Sequence, residues 1–250
     1  MTARRPCIAG NWKMNTDRDA AVALAESLAT QDSPSCELVV APPYPFLHPV
    51  GEALRGSASE RAGQDVCYES AGAWTGAVSA AMLRSVGCSH VIVGHSERRL
   101  HFGETDETVN RRVRASLDEG LIAIICVGES LQERELDQTL DVVTRQLRSA
   151  LSGIPHDGSE RFLVAYEPVW AIGTGHVATP EQAQEVHAAI RAELASRDRS
   201  LSESTRILYG GSVKPGNAAA LFAQPDVDGG LVGGASLDGE SFLAIARAAE

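Results

Sequence analysis

Arg161-Phe162-Leu163-Val164-Ala165-Tyr166-Glu167-Pro168-Val169-Trp170-Ala171-Ile172-Gly173-Thr174-Gly175 joins an apolar run to a lone carboxylate and then to a glycine-rich stretch. Phe162 to Tyr166 are apolar or aromatic without helical spacing, which predicts a buried strand. Glu167 falls at the strand's carboxyl end, and Pro168 prevents continuation as a central strand. A carboxylate beside apolar neighbours and a glycine-rich segment is a candidate general base under a movable cover. The segment taken alone also fits a solvated loop glutamate.

Working outward, the same kind of apolar run recurs. Strand candidates begin near Pro6, Glu37, Glu60, His90, Leu121, Arg161, Arg206 and Val227, the third and eighth being the weakest. Helical patterns lie between them, at Asp17 to Thr30, Thr105 to Glu119, Leu131 to Leu151 and Pro180 to Arg197. In the last of these, Ala183, Val186, His187 and Ile190 recur at three- and four-residue spacing and define one buried face. Thr179 is its expected N-cap, with Pro180 at the first helical position. Eight alternations without a long β-only region predict an α/β fold of parallel strands with helical crossovers. A closed (β/α)8 barrel is the first choice and a doubly wound open sheet the second. No GxGxxG follows the first strand, which counts against the dinucleotide-binding form of the open sheet.

The chain has 250 residues, 44% hydrophobic and 22% charged, a usual size for one barrel domain over residues 1–250. No Pro/Ser-rich or low-complexity linker divides it. A formal charge of −11 argues against nucleic acid and anionic membranes as partners, so an anionic substrate needs a local positive site. The N-terminus shows no signal-peptide pattern, and no run of about 18 apolar residues is present. Cys7, Cys36, Cys67, Cys88 and Cys126 form neither a CxxC metal pattern nor an even disulfide set, as expected of a reduced cytoplasmic protein.

The chemistry-bearing residues share an address, each following a strand candidate. Gly10 to Asn15 follows the first, Gly94 to Arg99 the fourth, Glu167 ends the sixth, and Gly210-Gly211-Ser212 and Gly233-Gly234 follow the seventh and eighth. In a barrel these positions converge on the C-terminal rim, where active sites of that architecture lie. Lys13 either presents a compact charge to an anion or is a solvated surface lysine. Asn11 either donates to a ligand or caps a turn. His95 precedes a short helix whose positive end would lower its pKa, favouring a neutral imidazole able to donate to a carbonyl; a core or capping role is the alternative. The paired glycines let backbone N–H groups approach an anion even in an acidic protein.

Together, Ala9 to Asn15, Gly94 to Arg99, Ala165 to Gly175, Tyr209 to Val213 and Gly230 to Leu237 give the chain a close resemblance to the triosephosphate isomerase family, from about Pro6 to Ala249. That family is itself a standard example of a glutamate base facing a neutral histidine under a closing loop. The resemblance implies a TIM barrel interconverting dihydroxyacetone phosphate and D-glyceraldehyde 3-phosphate, in glycolysis and gluconeogenesis, without metal or organic cofactor. Glu167 would move the carbon-bound proton. His95, Asn11 and Lys13 would stabilise the enediolate, and Gly173, Ser212, Gly233 and Gly234 would hold the phosphate. Glu97 would lie behind Lys13, and Cys126 would be a packing residue. Residues 168–178 would form a lid, hinged at Pro168-Val169-Trp170 and His176-Val177-Ala178.

The resemblance also implies a homodimer, in which Trp74 and Thr75 on the loop after the third strand reach the partner subunit. Three departures from the family pattern stand out. Ala77 replaces a common glutamate that pairs with an arginine of the other subunit, here Arg98, which is then expected to lack its partner. His176 replaces a lid-hinge lysine, and Ala62-Gly63-Gln64-Asp65 replaces the usual Gly-Ala-Gln-Asn. A four-carbon ketose-phosphate isomerase needs the same base and phosphate cup, and so is the nearest alternative activity. A non-catalytic sugar-phosphate-binding barrel would be expected to have lost Glu167, His95 or Lys13, and all three are present.

Overall fold

A computed structural model describes residues 4–29, 35–155, 161–172 and 177–250. The strands are β1 (Cys7–Asn11), β2 (Glu37–Ala41), β3 (Glu60–Gly63), β4 (His90–Val93), β5 (Ile122–Val127), β6 (Phe162–Tyr166), β7 (Ile207–Tyr209) and β8 (Gly229–Val232). Each pairs in parallel with the next, and β8 returns to β1 through Cys7–Gly229, Ile8–Gly230, Ala9–Leu231 and Gly10–Val232. The fold is therefore the closed (β/α)8 TIM barrel, and the open-sheet alternative falls. The helices are α1 (Arg18–Ala29), α2 (Leu47–Ala53), α3 (Ala80–Ser85), α4 (Ser96–Phe102), α5 (Asp106–Asp118), α6 (Leu131–Glu135), α7 (Thr139–Ala150), α8 (Pro180–Arg197), α9 (Arg199–Ser204), α10 (Pro215–Phe222) and α11 (Gly239–Arg247).

Most of the strands read as continuous apolar runs because both of their faces are buried. β3 (Glu-Arg-Ala-Gly) is the exception, with Glu60 exposed and Arg61 half-buried. One set of side chains, including Ala9, Val39, Ile92, Ile124, Leu163, Leu208 and Leu231, fills the barrel interior. The alternate set, including Ile8, Val40, Val91, Val93, Ile125 and Val164, packs outward under the helices. Helix α8 has the expected limits: the Thr179 hydroxyl accepts from Gln182 N at 3.2 Å, and Pro180 begins the first turn.

The helix expected over Leu131 to Leu151 is in fact two. Ser130 and Glu133 cap α6 reciprocally, and the chain then leaves the helix at Asp137, whose φ is 55°. Aspartate is among the few side chains that enter this left-handed region readily, so the break needs neither glycine nor proline.

Candidate active site

The C-terminal ends of the strands enclose a cavity of about 600 Å³, a size suited to a small ligand. Asn11, Lys13, His95, Glu167, Ser212, Gly233 and Gly234 all line it. Asn11 is the last residue of β1, and its Oδ1 accepts from Lys13 N at 3.0 Å. That turn holds Lys13 at φ 54°, a conformation that costs a long side chain about 1–2 kcal/mol. The carbonyl of Lys13 accepts from Gln64 Nε2 at 2.8 Å, and the same amide nitrogen reaches Ala41 O at 2.8 Å. The Lys13 ammonium pairs with Glu97, and a Cβ placed on Gly233 would lie 3.9 Å from Lys13 Nζ. Charge and glycine turn therefore face the same space.

Gly94 at φ 75° turns the chain out of β4, where a larger residue would both strain the backbone and strike Val109. His95 follows as the N-cap of α4. Its Nδ1 accepts from Glu97 N at 3.3 Å, which leaves the imidazole proton on Nε2. Nε2 lies 2.9 Å from Glu167 Oε1. The other carboxylate oxygen, Oε2, accepts from Ser96 N at 2.8 Å. Gly128 permits this placement, since a Cβ there would lie 1.7 Å from Glu167 O.

Glu167 is 2% exposed. Burial alone would raise its pKa, but the charge and contact of His95, the Ser96 N–H and the charge of Lys13 together hold it below the ordinary carboxylate value. His95 moves the other way. Burial opposes its charged form, yet Glu167 beside it pushes the pKa above the ordinary imidazole value. The lowering expected from the helix end is thus outweighed by the adjacent carboxylate while the two groups touch.

On the phosphate-compatible side, Gly233 leads into a 3-10 turn over Gly234–Leu237, and Ser236 Oγ donates to Gly233 O at 2.7 Å. A Cβ on Gly234 would meet nothing within 4 Å, so this edge of the turn faces open space. Gly173 and His176 lie outside the described residues. Among the described residues, no group of histidine, cysteine, aspartate and glutamate is placed to hold a metal ion. No described helix is long and apolar enough to cross a membrane.

The family model for triosephosphate isomerase matches residues 6–249. The chain belongs to the triosephosphate isomerase family. Relatives named triosephosphate isomerase include one from Citrifermentans bemidjiense, 51% identical over 99% of this chain and 100% of its own. Another, from Herminiimonas arsenicoxydans, is 50% identical over 98% and 100%. A third, from Pelobacter propionicus, is 53% identical over 96% of each.

Within this triosephosphate isomerase fold, Trp74 and Thr75 sit on an exposed loop and do not line the cavity. Trp74 rests edge-on against Tyr68, with ring centroids 5.5 Å apart. Whereas the expected loss concerns residue 77 of the other subunit, Arg98 has acidic partners within its own chain. Its Nη2 lies 2.9 Å from Asp65 Oδ2, its Nε pairs with Glu104, and its guanidinium lies 4.6 Å from the Phe102 ring centroid. Arg112 Nη1 reaches the other Asp65 oxygen at 2.6 Å. Asp65, one of the departures from the family pattern, thus supplies within the chain a negative charge that position 77 lacks.

Sequence reasoning passed over Glu129. It is fully buried, and its Oε1 accepts from Tyr166 Oη at 3.1 Å and Trp170 Nε1 at 2.8 Å, with Arg134 Nη1 at 3.2 Å. It thereby ties the start of the expected lid to the wall of the barrel. The signal was available, since Gly128-Glu129 directly follows β5 just as the other site residues follow their strands.

Proposed function

We infer that this chain interconverts dihydroxyacetone phosphate and D-glyceraldehyde 3-phosphate through an enediolate, with Glu167 as the base. The contact that carries the assignment of roles is His95 Nε2 at 2.9 Å from Glu167 Oε1, within the cavity that also holds Lys13 and the glycine turns. A substrate whose reacting carbon enters beside Oε1 separates the two groups. Glu167 then removes the proton from the carbon next to the carbonyl and returns it to the neighbouring carbon. Moved away from the carboxylate, His95 loses the interaction that raised its pKa and acts as a neutral Nε2–H donor. It gives that proton to the carbonyl oxygen and takes one back from the neighbouring hydroxyl, so the O–H proton passes between the enediolate's two oxygens. Its Nδ1 stays occupied by Glu97 N, so one tautomer is presented throughout.

Lys13 and Asn11 stabilise the developing oxyanion, where a fixed charge in a partly dry site is worth more than in water. Glu97 orients Lys13, and the backbone at Ser212, Gly233 and Gly234, with Gly173, receives the phosphate. The family resemblance assigns residues 168–178 the role of a cover, which the chemistry calls for because an enediolate phosphate open to water expels phosphate before it is reprotonated. No cofactor takes part in these steps. The working form is a homodimer. Met14, Trp74, Met82 and Phe102 are exposed apolar side chains, and Met14 adjoins Lys13, so a second copy would shield both. The cytoplasm suits five cysteines that are all free thiols.

Initial rates with D-glyceraldehyde 3-phosphate and a tetrulose phosphate at matched concentrations test the assignment. The family is a standing example of catalysis near the diffusional ceiling of about 10⁸–10⁹ M⁻¹s⁻¹. The expected result is a kcat/KM approaching that range for the triose and far below it for the tetrulose. The reverse preference would reassign the substrate, and no turnover of either would remove the enzymatic reading.

A further inference from the structure

The 22 basic side chains comprise twenty arginines and only two lysines, and both lysines, Lys13 and Lys214, line the active-site cavity. Among the described residues, no arginine lines it. The two lysines are placed differently. Lys13 is partly buried and paired with Glu97. Lys214 is exposed at the entrance, two residues beyond Ser212, and makes no ion pair among the described residues. Its backbone is firmly held: Lys214 N donates to Asn217 Oδ1 at 2.8 Å, and its carbonyl accepts from Asn217 N at 3.1 Å and Ala218 N at 3.0 Å. Pro215 then fixes the first turn of α10. A flexible, unpaired ammonium thus stands on a rigid base at the opening.

Charge decides what such a group does here. The chain carries −11, so an approaching phosphate dianion is repelled at long range. Inside the cavity, Glu97 and Glu167 offset the two lysines. Without Lys214 the two carboxylates of the lining would outnumber its one lysine, which Glu97 already engages. Resting on the isomerase reading above, we propose that Lys214 captures the substrate's phosphate dianion at the entrance and delivers it to the glycine turns, acting on association and not on the chemical step.

The choice of lysine fits that task. Arginine grips phosphate bidentately, whereas the ammonium is a compact, strongly hydrated point charge on a mobile stem. A tight grip on substrate and product alike would add uniform binding, which lowers KM without raising kcat. A capture group must also release.

Lys214→Gln and Lys214→Arg test the proposal, with kcat and KM measured from about 20 mM to about 500 mM ionic strength, where screening shortens from tens of ångströms to a few. For the triose phosphate, Lys214→Gln should lower kcat/KM about five- to tenfold at low ionic strength with kcat preserved. The gap should close to less than about twofold at high salt. Lys214→Arg should keep most of the low-salt advantage, and the loss should be confined to the phosphorylated substrate when unphosphorylated glyceraldehyde is compared. Three results would overturn the idea: no deficit at low salt, a deficit that persists unscreened, or an equal loss with glyceraldehyde. If the wild-type protein turns over no triose phosphate, the isomerase reading is what has failed. Calorimetric titration with inorganic phosphate still decides the role of Lys214: binding weakened at least about threefold by Lys214→Gln at low salt supports capture, and unchanged binding refutes it.

Discussion

Asp228 and Glu167 are both buried carboxylates at strand ends, one at each mouth of the barrel, and they are held in opposite ways. Before β8, Asp228 Oδ1 accepts from Arg4 Nε at 2.7 Å, and Oδ2 accepts from Arg191 Nη2 at 2.6 Å and Ile207 N at 2.8 Å. Every one of those donors is fixed. Arg191 is itself saturated by Asp226 Oδ1 at 2.6 Å and by the carbonyls of Ser202 and Thr205. After β6, Glu167 has one oxygen on the Ser96 amide, while the other faces the imidazole of His95 and receives no well-directed hydrogen bond among the described residues. Burial raises the cost of leaving a carboxylate incompletely bonded. A carboxylate saturated by permanent donors acts as a staple, and one that retains a free oxygen beside a movable proton can act as a base.

Removing the two carboxylates separately should break this comparison cleanly if it is wrong. Glu167→Gln should lower kcat by about 10³-fold or more, within the range for loss of a general base, while thermal stability changes little. A similar loss of stability, with kcat per folded molecule near wild type, would put Glu167 in the structural class. Asp228→Ala should do the converse. It removes the acceptor of Arg4 Nε, Arg191 Nη2 and the buried Ile207 amide. Arg191 keeps Asp226, so the cost should lie at the lower end of the about 3–5 kcal/mol for breaking a buried pair. Urea unfolding at fixed protein concentration should show that loss, and kcat per folded molecule should stay near wild type. A collapse of kcat with stability intact would show that the two mouths are not separable.

His187 sharpens the comparison from the side wall. Its Nδ1 lies 3.1 Å from Asp226 O, and its Nε2, buried beside the rings of Tyr166 and Tyr209, has no hydrogen-bond partner among the described residues. Burial lowers its pKa from 6.5 to about 4. Between those values the unfolded chain binds the proton and the folded chain does not, so stability falls as pH drops from about 6.5 toward about 4, by up to about 3 kcal/mol. Glu167 adds a loss of the same sign in a lower window. Its folded pKa is depressed, so its contribution disappears only as pH falls below 4.5 and through the folded value. His95, whose pKa is raised, has the opposite sign, but its contribution is complete below about pH 6.5. Unfolding midpoints from about pH 6 to about pH 4.5 should therefore decline, and a folded His187→Gln variant should flatten the upper part of that decline. An unchanged slope in that variant would assign the pH dependence elsewhere.

The barrel was readable because apolar continuity marks strands buried on both faces, and every strand lies where such a run begins or within a residue or two of it. The end of α8 and its Thr179 cap were equally local signals. The break at Asp137 was missed because helical periodicity persists across it, while the backbone reversal depends on one left-handed residue. The rim residues could be gathered from the sequence because each follows its strand directly. The partnership of Arg98 could not. Glu104 and Arg112 lie in the same stretch of chain as Arg98, but Asp65 belongs to a different strand's loop, and only the closed barrel brings it to both arginines. The direction for His95 was misjudged for the same reason, since the charge that most raises its pKa lies 72 residues away in sequence.

The join between β1 and β8 sets a schedule for the chain's synthesis. Residues 7–10 find their second neighbour only in residues 229–232. A ribosome adding about 5–20 residues per second needs roughly 10–40 s to cover that interval. For all of that time one edge of the first strand made has no partner to pair with, and an unpaired strand edge is the feature most prone to join another chain. The molecule's circular closure thus makes its earliest segment wait for its last, and places its greatest exposure to misassembly before the final strand has left the ribosome.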